Sequence, residues 1–199
     1  MNNAQKYLLV EEIFMYCNFA IIGFGEFEDL IQEKFNHKHK GIWYNLQMAL
    51  TNTSIISSYI FSNKPSAEER TEYLKKILML AENSPLKNKL ARNYITHIDE
   101  KFDYCINNSK YFKGVIETVA SNRQEFELID KPSYFVRRAI IKNEMIFIFQ
   151  LGDKRQEFEL SPLIKELKVV YRNCSRYLKK VKVERKSGYV FGVEKQQPK

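Results

Sequence analysis

The sequence predicts a mainly α-helical fold: a helical bundle, then a C-terminal β-hairpin to which a third short strand can add, then a final long helix. Three observations predict it. Only seven glycines and five prolines occur in 199 residues, which suits long helices better than a turn-rich sandwich. Apolar residues recur at three- and four-residue spacing through the first 110 positions, the period of a helix with one buried face. Finally, 134–141, 145–150 and 156–160 are rich in aromatic and β-branched residues, with Leu151-Gly152-Asp153-Lys154 between the last two as a turn.

The elements follow in order. A first helix is expected over 5–22 and a second over 26–35, with Gly23-Phe24-Gly25 read as a turn and Asn36 to Gly41 as a polar connection. A third covers 42–61, where Trp43, Leu46, Leu50, Ser54, Ser57 and Phe61 share a face whose small residues permit close packing. Asn63-Lys64-Pro65 stops it. Ser66 and Glu69 form the pattern of a capping box opening the next helix. Ser84-Pro85 then places a capping serine before a first-turn proline, starting a helix that runs to about residue 107. Ser161-Pro162 repeats that start for the last helix, which reaches about residue 181. The chain therefore reads as one domain over 1–185, with a helical bundle in 1–110 and a hairpin plus helix in 134–182. A flexible tail is expected over 186–199.

Composition narrows the class. Apolar residues make up 44% and aromatics 14%, enough for a folded core. Cys17, Cys105 and Cys174 are odd in number and form no CxxC pair, which argues against a disulfide framework or structural zinc and for a reducing compartment. The apolar run 13–24 is interrupted by Asn18 and follows Glu11 and Glu12. It is too short to span a bilayer and lacks the basic start of a secretory signal. A cytoplasmic location and no membrane partner are expected. The net charge of +8 is uneven. Residues 1–109 carry 12 basic and 13 acidic side chains, and residues 110–199 carry 20 and 11. An anionic partner such as RNA fits that asymmetry.

Residues 89–106, taken as one helix, separate into two faces. Ala91, Tyr94, Ile95, Ile98, Phe102, Cys105 and Ile106 share an apolar arc. Lys89, Arg92, Asn93, Thr96, His97, Asp99, Glu100 and Asp103 occupy the rest. Asn93 and His97, four apart, are neighbours, whereas Arg92 lies roughly 140° from His97 on an ideal wheel. A second element is needed to complete a site.

Arg92-Asn93-Tyr94-Ile95-Thr96-His97 resembles the motif of the HEPN superfamily, in which an arginine, a polar residue, a short spacer and a histidine lie on a late helix. The wider run Ser84-Pro85-Leu86, Leu90-Ala91-Arg92-Asn93 and His97-Ile98-Asp99-Glu100-Lys101-Phe102-Asp103 is similar to a bacterial HEPN-like group. The likeness extends to Trp43, Asn45 and Gln47 and to the hairpin leading into Ser161-Pro162-Leu163. It covers most of 40–180, with its specific part in 85–103. Thr96 stands where that group commonly has an acidic residue.

The resemblance implies metal-independent cleavage of RNA, with no cofactor. RNA carries its own nucleophile, the 2′-hydroxyl. His97, an imidazole that changes charge near neutral pH, is the expected proton carrier. Arg92 is expected to hold the phosphate and stabilise its added charge in the transition state. Asn93 is expected to orient the imidazole or contact the sugar. One histidine does not serve as base and acid in a single step, and HEPN ribonucleases solve this by dimerising. The resemblance thus implies a homodimer with Arg92 and His97 of both copies at the cleft, and a place in toxin–antitoxin or phage-defence systems, where an antitoxin is a further partner. The alternative is a non-catalytic module that uses the same helix to bind RNA or a protein.

On the last helix, Lys165, Lys168, Arg172, Arg176 and Lys179 recur at spacings of 3, 4, 4 and 3. With Lys89 they are candidate RNA-binding residues, and Arg137, Arg138, Lys180, Lys182, Arg185 and Lys186 can widen the patch. A solvated helix face has the same pattern. His37 and His39 lack a third ligand nearby in sequence, so no metal site is expected.

Overall fold

A computed structural model describes residues 1–33, 40–108, 110 and 113–185, without the side chains of residues 92 and 182–185. The chain begins with α1 (Asn3–Gln32), which opens on a capping box. The Asn2 side chain accepts from Gln5 N–H at 2.9 Å, and the Gln5 side chain accepts from Asn2 N–H at 2.9 Å. Two orphan donors of the first turn are thereby satisfied. The two helices expected over 5–22 and 26–35 are this single helix, and Gly23-Phe24-Gly25 is helical rather than a turn. Gly23 is there for packing: a Cβ on it would lie 3.1 Å from the Asn45 carbonyl oxygen and 3.2 Å from Ala49 Cβ.

Those two residues belong to α2 (Lys40–Ile60), which crosses α1 closely and buries Trp43, Leu46, Leu50 and Ser57 as its pattern predicted. A 3₁₀ turn (Pro65–Ala67) then leads into α3 (Glu68–Leu78). The expected capping box from Ser66 does not form, because Pro65 starts the turn early and leaves Ala67 at the cap position. Glu69 instead meets the amino terminus.

A second 3₁₀ turn (Pro85–Lys87) is capped by Ser84, which accepts from Leu86 N–H. It precedes α4 (Leu90–Thr96) and α5 (Ile98–Ile106), so the helix expected from 85 to 107 is three pieces. Next come β1 (Gly114–Ala120), α6 (Arg123–Ile129), β2 (Tyr134–Ile141), β3 (Ile146–Leu151), β4 (Lys154–Glu159) and α7 (Leu160–Arg185). The tail expected over 186–199 lies outside the described residues, as do His37 and His39.

The expected mainly α bundle is corrected here. Helices are combined with a four-stranded mixed sheet in the order β1-β2-β3-β4, an α/β arrangement. Strands β2, β3 and β4 form antiparallel neighbours, with Ile140 opposite Phe147 and Phe147 opposite Phe158. β1 pairs in parallel with β2, the two joined by the α6 crossover. Between Ile116 and Glu117 the register shifts, so that Ile116 faces Val136 and Glu117 faces Arg138. This bulge on β2 lets Arg137 and Arg138 both reach Glu117.

Both faces of the sheet are covered. Val119, Ile140, Phe147, Phe149 and Phe158 join one core with α1, α2, α4 and α7. Ile116, Ala120, Val136, Ala139, Ile141 and Ile148 form a second core beneath Phe126 of α6. Two covered faces explain why Phe147 to Gln150 are consecutively buried instead of alternating. Within the helical layer, α7 lies on α1 and α3, with Phe14 stacked on Tyr171 at 4.6 Å and the Tyr73 hydroxyl donating to that of Tyr177. By length and composition α1 is apolar enough to cross a membrane, but Val10, Ile13, Cys17, Ala20, Phe24, Phe27 and Ile31 on it are buried in this core.

Candidate functional site

The helix α4 is fixed to the sheet through its apolar side. Ala91 and Tyr94 are buried. The Tyr94 ring stacks on Phe149 at 4.4 Å and meets Phe147 edge-on at 6.2 Å. Its hydroxyl donates to the Arg137 carbonyl oxygen. Burial pushes that hydroxyl well above the usual tyrosine range, against the opposing pull of Arg137 and Arg138, so it remains a neutral donor. With Tyr94 anchored inward, Asn93 is left exposed.

His97 closes α4 and opens α5. Its backbone leaves the helical region at φ −117° and ψ 35°. The ladder is bridged there by its N–H donating to the Asn93 carbonyl at 3.2 Å and its carbonyl accepting from Lys101 N–H at 3.3 Å. A single-helix wheel therefore does not set the angle between Arg92 and His97. Arg92 has its backbone in α4, and its side chain lies outside the described residues.

The imidazole of His97 is 51% exposed, with Nδ1 2.9 Å from Glu100 Oε1. A carboxylate accepts, so Nδ1 carries the hydrogen of this bond. No group among the described residues bonds Nε2. Glu100 also lies 3.7 Å from Lys101 Nζ. Glu100 stands three residues after the histidine, a neighbouring position on a helix, and is the imidazole's partner.

The remaining candidates lie elsewhere. Lys89 precedes α4 and lines a narrow cleft with Phe158 and Leu163. Lys165, Lys168, Arg172, Arg176 and Lys179 are all exposed on α7, as the stripe predicted. Arg172 Nε donates to the Lys168 carbonyl at 3.2 Å, and Arg176 Nη1 to Asn173 Oδ1 at 3.3 Å. The stripe thus lies on the helix that packs against α1 and α3, not on the α4–α5 segment.

Arg137 and Arg138 do not extend that stripe. Arg138 lies 4.6 Å from the Trp43 ring centre and Arg137 5.6 Å from that of Phe102, while both pair with Glu117. They brace β2 against α2 and α5, a cation–π role. Trp43, Gln47, Tyr94, Ile95, Ile98 and Arg138 meet around a small cleft there.

A larger groove lies at the end of the sheet where β2 begins. It has a volume of about 260 Å³ and is lined by Lys110, Asp130, Lys131, Pro132, Asp153 and Arg155. These come from separate segments, and nothing in their spacing announced them. Among the described residues no group of three or more His, Cys, Asp or Glu side chains is placed to hold a metal ion. No protein-family model, curated protein or solved structure matches the chain.

Proposed function

We propose that the chain is a cytoplasmic, metal-independent endoribonuclease acting through His97. The observation that carries this reading is the half-exposed imidazole held by Glu100 through Nδ1, with Nε2 open to a substrate. A carboxylate on one ring nitrogen fixes the tautomer and the orientation of the ring.

In the proposed reaction the 2′-oxygen of a ribose attacks the adjacent phosphorus. Nε2 of His97 takes the 2′-hydroxyl proton as the new P–O bond forms. The bond to the 5′-oxygen breaks, and that oxygen leaves with a proton from the protonated His97 of a second copy. The products are a 2′,3′-cyclic phosphate and a 5′-hydroxyl. Arg92 offers its fork of donors to the non-bridging oxygens, and Asn93 contacts the sugar. The active form is therefore a homodimer, and this chemistry is what the resemblance to HEPN ribonucleases implies. A role in toxin–antitoxin or phage-defence systems rests on the same resemblance.

The test is cleavage of a labelled single-stranded RNA by purified wild-type, His97→Ala and Glu100→Gln proteins. Loss in the first variant and partial loss in the second are expected. Equal cleavage by wild type and His97→Ala removes the proposal.

One observation favours a different reading, a non-catalytic module that binds a protein partner. Leu8, Met15, Phe19 and Ile22 are exposed in one row on α1, at spacings of 7, 4 and 3.

A further inference from the structure

We infer that the groove at the end of the sheet is a subsite for one ribonucleotide unit of the strand that His97 acts on. The inference rests on the proposed ribonuclease reading and names a second place where that substrate is held.

The geometry starts at α5. His97 caps the start of α5, Glu100 and Tyr104 lie on it, and Asn108 follows its end, at spacings of 3, 4 and 4. The Asn108 side-chain amide donates to the Tyr104 hydroxyl at 3.1 Å, which donates to Asp153 Oδ1 at 3.0 Å. Asp153 also pairs with Lys110 at 3.3 Å. Tyr104 thus joins α5, the helix that His97 opens, to Asp153 in the groove. Seven residues separate His97 from Tyr104, about 10 Å at the helical rise, a length that a short stretch of extended strand spans.

The chemistry of the groove matches a nucleotide better than a bare anion. Its lining holds three cations and two carboxylates, one positive charge in excess. Arg155 is the fixed centre. It grips Asp130 with Nη2 at 2.6 Å and Nε at 3.2 Å, donates to the Tyr134 carbonyl at 2.9 Å, and bonds Gln150. Lys110, which pairs with Asp153, and Lys131 are both exposed, and their ammonium groups suit a phosphate. Asp153 and Asp130 supply acceptors for sugar hydroxyls, including the 2′-hydroxyl that distinguishes RNA from DNA. A sugar ring can rest on Pro132.

The test uses His97→Gln protein, so that the RNA stays intact, and a fluorescein-labelled single-stranded RNA with a DNA of equal sequence. Adding Lys110→Gln and Lys131→Gln is expected to weaken RNA binding about tenfold. The salt slope should become shallower by about 0.7, the loss of one phosphate contact on a single strand. A charge-matched control, Lys64→Gln with Lys76→Gln, should change affinity less than twofold. RNA should bind at least fivefold more tightly than DNA before the groove substitutions and nearly equally after them.

Equal losses for the two lysine pairs, or no loss at all, overturn the subsite. Calorimetry with inorganic phosphate forms a separate arm. Phosphate binding that needs Lys110 and Lys131, alongside unaltered RNA affinity, assigns the groove to a free phosphate compound and overturns the strand assignment. Absence of cleavage by the wild-type chain, with groove-dependent RNA binding retained, defeats the ribonuclease reading and leaves the groove as an RNA-binding site.

Discussion

The Tyr94 hydroxyl donates to the carbonyl oxygen of Arg137, joining the helix that carries Asn93 to the second strand of the sheet. Tyr94 is 1% exposed, and its ring stacks on Phe149. The residues on the outer side of α4 are therefore held by an inward anchor. Rotation of the helix would break a buried hydrogen bond and an aromatic contact together.

Replacing that anchor separates its two parts. Tyr94→Phe keeps the ring and removes the donor, which is expected to cost about 1–2 kcal/mol of stability. Tyr94→Ala also removes the packing and is expected to cost about 3–5 kcal/mol. Urea denaturation measures both. A Tyr94→Phe protein as stable as wild type would show that the bond to Arg137 does not hold the helix.

The two glycines of α1 should respond in opposite directions. Gly25 has nothing within 4 Å of a would-be Cβ, so Gly25→Ala is expected to gain about 0.5–1 kcal/mol from helix propensity. At Gly23 a side chain runs into the Asn45 carbonyl oxygen and Ala49 of α2. Gly23→Val is expected to cost about 1–3 kcal/mol, because overpacking outweighs the propensity gain. Melting temperatures check the pair. A rise for both variants would contradict the close α1–α2 crossing.

Acid should loosen the link between α6 and β4. Arg123 donates to both oxygens of Glu157, at 2.6 and 2.9 Å, and to Glu144 at 3.0 Å. The hydrogen bonds from Arg123 hold the Glu157 carboxyl below its ordinary range, against a smaller opposing effect of burial. A lowered folded-state pKa contributes stability above the unfolded-state value, and that contribution disappears as pH falls through the folded-state value. Glu157 is 45% exposed, so solvent screening limits the contribution to about 0.5 kcal/mol. Arg123→Gln should be less stable than wild type at neutral pH, and the gap should close below the carboxylate range. A gap that persists unchanged in acid would rule out this pair as its source.

How far the sequence carried can be seen element by element. Strands β2, β3 and β4 were legible because their apolar runs are local and Gly152 marks the turn between the last two. The parallel strand β1 was not, since Gly114 to Ala120 acquires meaning only beside β2, across the α6 crossover. That one non-local pairing turns an expected hairpin on a bundle into an α/β fold. Gly23 misled for a related reason: glycine serves turns and close helix crossings alike, and only α2 decides between them. In the candidate site, Asn93 and His97 were readable from their order on a helix. The break at His97 was not, nor was the convergence of Lys110, Lys131 and Arg155 from three separate segments.

The most direct measurement is the product analysis of a 5′-labelled RNA incubated with wild-type and His97→Ala proteins in the presence of EDTA. The account predicts fragments ending in a 2′,3′-cyclic phosphate with wild type and intact RNA with the variant, at equal folded content by circular dichroism. Intact RNA in both samples, or the same fragments in both, would contradict it.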